Sequence, residues 1–321
     1  MTLRPSFALL LAAVISSLVP SCNRQDTQEQ GSIDQPSGPE PAAPEAPSVV
    51  AAEPEGSGES PARQAPDLNA PLVVGDANAL LSGEHIGLEE REWSVAGRSG
   101  VAWIVRIDGG TEMSVIPTLE VADFDQFIPA YDTESDWAVI NGGFYDTDQT
   151  AMGLVLAHGD EHSPLTMNGG SGVFYLSEQG PGIVHQTQWR ETVDQVAPTD
   201  AIQSIDRLVD EGRSLVNSED RRGAARGAVA LVGEEIWLVI AVDHDSVRPN
   251  DDGEVWLRGT SRMGMSLGHF ADFLVALGAD RALNLDGGGS SSLAVQIGGS
   301  RFRVRGERGT INALLARSPS P

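Results

Sequence analysis

The stretch that decides the fold is Ala282–Val295, ALNLDGGGSSSLAV. Apolar residues lead into an acid, Asp286, and three glycines and three serines follow before the chain turns apolar again. This pattern predicts a strand, a tight turn and a second strand. Three consecutive glycines lose much conformational entropy on folding, so a fold that keeps them needs a left-handed backbone or a close approach there. Bare N–H groups in such a turn can form an anion site, and a plain glycine hairpin with a solvated Asp286 is the simpler interpretation.

The composition of the chain excludes several classes of protein. The 321 residues carry a net charge of −25, and all 21 of the cationic Lys and Arg positions are arginine. An acidic surface of this kind repels nucleic acid and anionic lipid, so we expect no nucleic-acid partner. Glycine is abundant, with 36 residues, and aromatic residues make up only 5%. This balance favours turn-rich β structure over a helical bundle.

The first residues of the chain read as an export signal. Arg4 precedes an apolar run, Phe7–Val19, of signal-peptide length. The run ends at Leu18-Val19-Pro20-Ser21-Cys22, which resembles a bacterial lipoprotein signal, where the cysteine becomes the lipidated N-terminus. Cys22 is the only cysteine, so it has no partner for an internal disulfide. We expect a signal peptide over residues 1–21 and a lipid anchor at Cys22 that holds the protein at the cell envelope, or else secretion.

The remainder of the chain divides into a tether and a folded domain. Residues 22–84 are rich in Pro, Glu, Ala, Ser and Gly and poor in apolar clusters, which predicts a disordered linker. Order should begin near His85, and a single folded domain is expected over residues 85–317. Its many short strand-like segments and few helical ones predict an α+β fold, a mixed, largely antiparallel β-sheet with a few flanking helices.

Local patterns place the main elements of this domain. Leu267–Leu277 carries an apolar stripe at helical spacing, with Ser266 as its N-cap and Gly278 as its end. Leu119–Tyr131 also shows helical spacing, and Ala201–Val209 is ambiguous between helix and strand. Hairpins are predicted for Arg91–Ala96 with Val101–Ile107 and for Ala228–Val232 with Glu235–Val242.

Three of the predicted strands end in a polar residue, namely Asn141, Asp243 or Asp286. If these ends meet, one cleft holds an amide, two carboxylates and two glycine turns, with Arg226 at the start of the next strand as its cation. Glycine N–H groups and a guanidinium hold phosphate oxygens well, so this cleft suits a phosphorylated sugar. The turn residues expected to contact that ligand are Asn141, Gly142, Gly143, Gly287, Gly288, Gly289, Ser290 and Ser291.

Metal-binding patterns are weak. Asp243, His244 and Asp245 are ligand types, but neighbouring residues of a strand point to opposite faces. The sequence contains neither H-x-x-H nor C-x-x-C. We therefore expect no catalytic metal and no other cofactor, while a weak Ca²⁺ site among the many acidic side chains stays open.

In the second half of the chain these motifs resemble the phosphodiester glycosidase domain, over roughly residues 136–316. The strongest block is Ala282–Ser291, which follows the predicted helix. Asn141–Tyr145 is similar to the N-G-G-F/Y motif of the family, and Ile311–Leu315 to its closing N-A-L strand. Gln203–Gly212 resembles the Q-[ST]-G-P stretch, and Arg226–Ala230 the arginine strand that follows it.

The resemblance implies a hydrolase that cleaves the C1–O bond of a sugar-1-phosphodiester, with a glycan or phosphorylated sugar as substrate. Because phosphate leaves without much protonation, one carboxylate could replace the usual pair of a glycosidase. We expect Asp286 to be that carboxylate, as base or nucleophile, with Asp243 as the second candidate. Arg226 and glycine N–H groups would stabilise the phosphate charge. His269 is a further candidate, since it stands where the family commonly has a Glu.

Two departures from the family pattern keep a second interpretation open. The Gly-Pro of the family is Ile205-Asp206 here, and its Asp-Gly-Arg is Asp243-His244-Asp245. These losses are compatible with a non-catalytic glycan-binding lipoprotein on the same fold.

Overall fold

The computed structural model describes residues 70–129, 135–168, 170–216, 222–250 and 253–319. The predicted signal peptide, the predicted lipidation site Cys22 and the predicted tether as far as residue 69 lie outside these described residues.

The described residues form mostly β structure. The strands, in chain order, are β1 (Val73–Val74), β2 (Asn78–Ser82), β3 (Ile86–Val95), β4 (Arg98–Ile107), β5 (Glu112–Ala122), β6 (Trp137–Asn141), β7 (Val155–Ala157), β8 (Asp160–Ser163), β9 (Gly172–Leu176), β10 (Gly182–His185), β11 (Asp200–Ser204), β12 (Arg207–Asp210), β13 (Arg213–Ser214), β14 (Arg226–Val232), β15 (Glu235–Asp243), β16 (Val247–Pro249), β17 (Val255–Leu257), β18 (Arg281–Leu285), β19 (Leu293–Ile297), β20 (Ser300–Arg305) and β21 (Thr310–Arg317). The helices are α1 (Trp189–Val196) and α2 (Leu267–Ala276), with 3₁₀ turns at Phe124–Phe127, Gln186–Gln188, His244–Ser246 and Gly288–Ser290.

The strands assemble into three sheets rather than one. The nine-stranded sheet runs β1-β3-β4-β15-β14-β18-β12-β13, with β2 paired to β3. The seven-stranded sheet runs β16-β17-β20-β19-β6-β21-β5, and the five-stranded sheet runs β10-β9-β11-β7-β8. Among the pairings of the described strands, that of β17 with β20 is parallel and the others are antiparallel. The predicted largely antiparallel pairing is confirmed, but two α-helices make the fold β-rich rather than a balanced α+β.

The largest core lies where the three sheets face one another. Leu285 of β18, Ile140 of β6 and Ile202 of β11 belong to this one buried apolar cluster. The alternate residues of the nine-stranded sheet face the other way and pack against α2, as Ala282 does against the cluster containing Phe270. Because successive strand residues point to opposite faces, β18 divides its side chains between two cores.

The predicted hairpins and the predicted helix after Ser266 are confirmed. The turn between β3 and β4 is Ala96-Gly97, with φ values of 50° and 72°, as two-residue hairpins require. Ser266 caps α2 by accepting the N–H of His269 at 3.2 Å. Gly278 follows the helix with φ 93°.

The predicted helix Leu119–Tyr131 is wrong over residues 119–129, and its last two residues lie outside the described residues. Leu119 lies in β5 and is 91% exposed. The helical spacing puts Leu119, Phe124, Phe127 and Ile128 on one face. Of these, only Phe124 and Phe127 are buried, in a 3₁₀ turn capped by Asp123. The β-branched residues of β5 favour a strand, and its pairing with β21 overrides the local helical spacing.

Two further boundaries differ from the prediction. The ambiguous segment Ala201–Val209 is two strands, β11 and β12, separated by Asp206 with φ 66°. Order also begins before His85, because β1 and β2 pair with β3 and so extend the nine-stranded sheet. The predicted linker therefore contains two strands at its C-terminal end. Among the described helices, none has the length and apolar character needed to cross a membrane.

Candidate active site

Asp286 lies at the junction of two sheets. β18 belongs to the nine-stranded sheet and β19 to the seven-stranded sheet, so the turn between them crosses from one to the other and is not a hairpin. The N–H of Asp286 donates to the carbonyl of Gly142 at 2.9 Å. The side-chain amide of Asn141, at the end of β6, donates to the carbonyl of Asp286 at 2.7 Å. The backbone of Asp286 is therefore held by the seven-stranded sheet.

The carboxyl group of Asp286 has an unusually high pKa. Burial raises its pKa to about 6, against the lowering effects of hydrogen bonds from the Ser290 hydroxyl and the Gly287 N–H and of the positive charge of Arg308. Burial is the dominant effect because it disfavours the charged form more than these partners favour it. A carboxyl group with a pKa near 6 can exchange a proton near neutral pH.

Each of the three glycines of the turn is required for a different structural reason. Gly288 has a left-handed φ of 58°. A Cβ at Gly287 would lie 2.7 Å from the carbonyl oxygen of Ala225, and one at Gly289 would lie 2.9 Å from Cγ of Arg308. Neither position has room for a larger residue without rearrangement.

The predicted anion site made of N–H groups in this turn is not supported by the geometry. The N–H of Gly288 donates to the Ala225 carbonyl at 2.8 Å, and those of Ser290 and Ser291 donate within the turn at 3.3 Å. The Gly287 N–H is used by Asp286. Most of these donors therefore serve the fold, and side-chain cations must supply the charge for an anion.

The Asn141–Gly143 motif holds the Asp286 turn in place through hydrogen bonds. Asn141 is fully buried, and its Oδ1 accepts the N–H of Ser292 at 3.0 Å while its amide reaches Asp286. The N–H groups of Gly142 and Gly143 donate to the carbonyl and the Oδ1 of Asn312, both at 2.8 Å. The predicted sugar contact of Asn141 is therefore replaced by a positioning role, and Gly142 and Gly143 allow the approach of Asn312.

Arg226 begins β14 beside the end of β18, since Gly227 pairs with Leu285. Its guanidinium donates to the carbonyls of Met265 at 3.1 Å and Arg222 at 2.9 Å. Its positive charge also lowers the pKa of Asp206, although burial raises that pKa overall. The start of β14 thus lies beside the end of β18, and Arg226 secures the loop that leads into α2.

Arg308 was not predicted as a site residue. Its backbone N–H donates to the carbonyl of Gly289 at 2.8 Å, and its side chain runs over that glycine. Its charge lowers the pKa of Asp286. Arg308 lies in the turn between β20 and β21, and no local pattern there marks it as functional.

These site residues fall within one continuous family match. The family model described as phosphodiester glycosidase matches residues 136–316, which is more than half of the chain. The chain belongs to the phosphodiester glycosidase family. Asn141, Arg226, Asp286 and Arg308 all lie inside the matched segment.

Two solved structures are similar to this phosphodiester glycosidase family member. A hypothetical protein from Synechocystis is 17% identical, with a TM-score of 0.48; the match covers 76% of this chain and 64% of that one. The catalytic domain of zebrafish N-acetylglucosamine-1-phosphodiester alpha-N-acetylglucosaminidase, auto-inhibited by its pro-peptide, is 18% identical with a TM-score of 0.47, over 77% of this chain and 83% of that one. No curated protein sequence matches the chain.

Asp206 is an acid beside β18, under the influence of the Arg226 charge, and it was likewise not predicted. Its carbonyl accepts the N–H of Asn284 at 3.1 Å, so it lies beside β18 close to the strand end that carries Asp286. The Oδ1 of Asn284 is buried and has no hydrogen-bond partner within the described residues. The signal that could have identified Asp206 was its place in the sequence, where the family pattern has proline.

Asp243, the second candidate for the carboxylate, has a structural role. Its Oδ1 accepts the N–H of Asp245 at 2.9 Å and so caps the 3₁₀ turn His244–Ser246. In the nine-stranded sheet β14 lies between β15 and β18. Since neighbouring strands are about 4.8 Å apart, this places the ends of β15 and β18 about 10 Å apart. This geometry favours the capping interpretation of Asp243 over a reacting one.

The last two predicted residues differ in burial. Ser291 is completely buried, and its Oγ has no partner among the described residues, so it does not face a ligand in this structure. His269 lies half-buried in the first turn of α2. Within the described residues, no group of three or more His, Cys, Asp or Glu side chains is arranged to hold a metal ion.

Proposed function

We propose that the protein is an exported, lipid-anchored hydrolase that cleaves the C1–O bond of a sugar-1-phosphodiester in envelope or environmental glycans. Family membership supports a phosphodiester glycosidase activity. The observation that carries the proposal is the position of Asp286, a partly buried carboxyl group at a sheet junction beside Arg308, where burial raises its pKa to about 6.

In the proposed reaction Asp286 acts as a general base. Its carboxylate takes a proton from water as the water oxygen bonds to C1, and the C1–O bond to phosphate breaks with its electron pair going to the phosphate oxygen. A base with a pKa near the working pH is the more effective one. The phosphate monoester leaves without an acid, so the two-carboxylate pair of an ordinary glycosidase is not required.

Arg308 is the proposed stabiliser of the departing phosphate. A guanidinium presents several donors to phosphate oxygens and stays charged at all working pH values. Fixed positive charge in a partly buried site lowers the energy of developing negative charge. The proposal needs no metal or organic cofactor in these steps, because the base and the cation are both side chains of this chain.

The proposed location rests on the sequence before residue 69. A lone Cys22 directly after an apolar run supports lipidation of the mature N-terminus. Mass spectrometry of the protein recovered from membranes should find the lipid on Cys22. A Cys22→Ser variant should be found in the soluble or secreted fraction; a variant that stays membrane-bound would contradict the anchor.

The experiment that tests the activity is turnover of synthetic sugar-1-phosphodiesters by the purified protein, compared with Asp286→Asn. We expect phosphate monoester and free sugar from the wild type and a loss of at least about 10²-fold in the variant, of the size general base catalysis contributes. Inverted configuration at C1 is expected for a base, and retention would instead make Asp286 a nucleophile. Equal inertness of both proteins with retained glycan binding would support the non-catalytic lipoprotein instead.

A further inference from the structure

The turn that carries Asp286 is held by two loops from elsewhere in the chain. The first loop precedes β14, and there the N–H of Gly288 donates to the carbonyl of Ala225 at 2.8 Å. The second loop joins β20 to β21, and there the N–H of Arg308 donates to the carbonyl of Gly289 at 2.8 Å. The position of the Asp286 turn therefore depends on both loops.

A third segment, the loop after β17, connects the other two. The N–H of Ala225 donates to the carbonyl of Thr260 at 2.9 Å. The hydroxyl of Thr260 donates to Oε2 of Glu307 at 2.9 Å, and its N–H donates to the same oxygen at 3.4 Å. Since Glu307 directly precedes Arg308, these contacts close into a ring. This ring of hydrogen bonds consists of Gly288, Ala225, Thr260, Glu307, Arg308 and Gly289.

The link between Thr260 and Glu307 is the part of the ring that side chains make. Thr260 is completely buried, whereas Glu307 is exposed. Burial raises the pKa of Glu307, but hydrogen bonds from the Thr260 hydroxyl and from the N–H groups of Thr260 and Gly259, with the charge of Arg258, lower it more. The ionised carboxylate is a stronger acceptor than a neutral oxygen. A side-chain substitution can therefore open the ring without changing its backbone bonds directly.

Arg308 needs this support because it is exposed. The contacts that place it are its backbone bond to Gly289 and the stem of its side chain over that glycine. The same loop approaches the Asp286 turn at Gly306, where a Cβ would lie 2.8 Å from the carbonyl oxygen of Ser291. If the loop moved outward, the charge of Arg308 would act on Asp286 over a longer and more solvated path, and its effect would weaken.

We propose that Thr260 and Glu307 are positioning residues, which hold Arg308 beside Asp286 by closing the ring of hydrogen bonds. The inference rests on the proposed function, in which Asp286 is the base and Arg308 stabilises the departing phosphate. Each positioning residue acts through the distance between the guanidinium and the carboxyl group, not through a contact with the substrate.

Thr260→Val is the decisive variant, because it removes the hydroxyl and alters no charge. Thr260→Ser keeps the hydroxyl and is the conservative variant that should restore the ring. The matched control is Thr192→Val, since Thr192 is also buried and its hydroxyl donates to the Gln188 carbonyl at 3.1 Å, outside the ring.

A second pair of variants keeps the test available if Thr260→Val does not fold. Glu307→Met and Glu307→Gln remove the same charge from an exposed position, and so change the field at Asp286 equally. Only glutamine retains an oxygen that can accept from Thr260. The difference between these two variants therefore isolates the hydrogen bond.

The first measurement is the pKa of the Asp286 carboxyl group, followed by NMR titration of isotope-labelled aspartate in the full chain and assigned with Asp286→Asn. Arg308→Met should raise this pKa, because the charge of Arg308 lowers it. Thr260→Val should raise it too, and by no more than Arg308→Met does. The double variant should titrate like Arg308→Met alone, since the ring then has no charge to position. Thr260→Ser and Thr192→Val should titrate like the wild type, and Glu307→Met above Glu307→Gln.

The second measurement is amide hydrogen exchange at the backbone donors of the ring. The N–H groups of Ala225, Gly288 and Arg308 each donate within it, so their exchange reports local opening. In Thr260→Val the exchange of the Arg308 N–H should be about tenfold faster, the size expected for loss of a hydrogen bond to a charged group. Thr192→Val should leave it unchanged.

The outcomes separate this inference from the proposed function. An unchanged Asp286 pKa in Thr260→Val, shifts that add in the double variant, or equal titration of Glu307→Met and Glu307→Gln overturns the positioning role. So does an Asp286 pKa that Arg308→Met leaves in place. Both measurements are made without substrate, so a protein that turns over no sugar-1-phosphodiester refutes the hydrolase while titration and exchange still decide the role of the ring.

Discussion

The side-chain amide of Asn141 donates a 2.7 Å hydrogen bond to the backbone carbonyl of Asp286, 145 residues further along the chain. Asn141 ends a strand of the seven-stranded sheet, and Asp286 directly follows a strand of the nine-stranded sheet. Its Oδ1 accepts the N–H of Ser292 at 3.0 Å, on the other side of the same turn. One buried amide thus fixes both ends of the turn that carries the candidate carboxylate.

The first prediction concerns Asn141→Ala. The substitution leaves the Asp286 carbonyl and the Ser292 N–H without their side-chain partner, at a cost of about 1–3 kcal/mol for each buried group. We expect a lower free energy of unfolding in urea and a lower kcat, because the Asp286 turn is no longer fixed. A rise in KM with unchanged stability would instead support a direct contact between Asn141 and the sugar, as the sequence suggested.

The second prediction concerns Gly142→Ala. A Cβ at this position would collide with Oδ1 of Asn312. Overpacking of this kind costs about 1–3 kcal/mol or more, so the melting temperature should fall. In the double variant, Asn312→Ala should recover part of the lost stability, since it removes the colliding oxygen. If the two stability losses simply add, the collision is not the cause. Gly109→Ala is the matched control, because a Cβ there meets no atom within 4 Å.

Features that depend on local periodicity could be predicted from the sequence. The hairpins, the helix capped by Ser266 and the strand that ends before Asp286 follow from alternation, capping and glycine placement. The end of β5, from Leu119 onward, reads as helical in the sequence because Leu119, Phe124 and Phe127 repeat at helical spacing. The pairing partner that decides the question, β21, is almost 200 residues away in the sequence.

The sequence indicated which residues lie at the candidate site better than what each of them does there. Asn141 and Asp286 do meet, but which of them faces a ligand depends on Ser292 and on backbone partners that no pattern identifies. Arg308 was missed because its closeness to Asp286 arises from the packing of Gly289 against a distant turn. A single sequence does not encode such neighbours in any local pattern.

The third prediction concerns Asp243→Ala, which removes the cap of the His244–Ser246 turn. Loss of an N-cap costs about 0.5–2 kcal/mol. Stability should fall by that amount while kcat/KM for a sugar-1-phosphodiester stays near the wild-type value, and Asp243→Ser should restore the cap. A loss of turnover at unchanged stability would return Asp243 to the reacting groups.

The fourth prediction is an acidic limb in the pH profile. A general base must be ionised, so kcat/KM should rise with pH and level off above the pKa of Asp286, about 6. Ser290→Ala removes a hydrogen bond that lowers this pKa, so the midpoint should move to higher pH. Ser291→Ala, at the adjacent buried hydroxyl, should leave the midpoint in place. A profile that falls with pH through 6 would make Asp286 an acid.

The fifth prediction is that Asp286→Asn stabilises the fold while removing activity. The pKa of Asp286 is raised from 3.8 to about 6 in the folded protein. Between these values the folded state holds a proton that the unfolded state has lost, so stability falls as pH rises from about 4 to above 6. At about 1.4 kcal/mol for each pKa unit, the ionised carboxylate costs the folded state roughly 2–3 kcal/mol at pH 7.5.

Asparagine has no charge to bury, so Asp286→Asn should gain most of that free energy of unfolding at pH 7.5 and little of it at pH 4. Urea unfolding of both proteins at the two pH values measures the difference directly. Glu235→Gln is the control of opposite sign, because Arg106 lowers the pKa of Glu235 and its charge supports the fold. If Asp286→Asn raised the free energy of unfolding equally at both pH values, the gain would come from packing. The wild-type carboxylate would then be solvated in the folded protein, which contradicts the prediction.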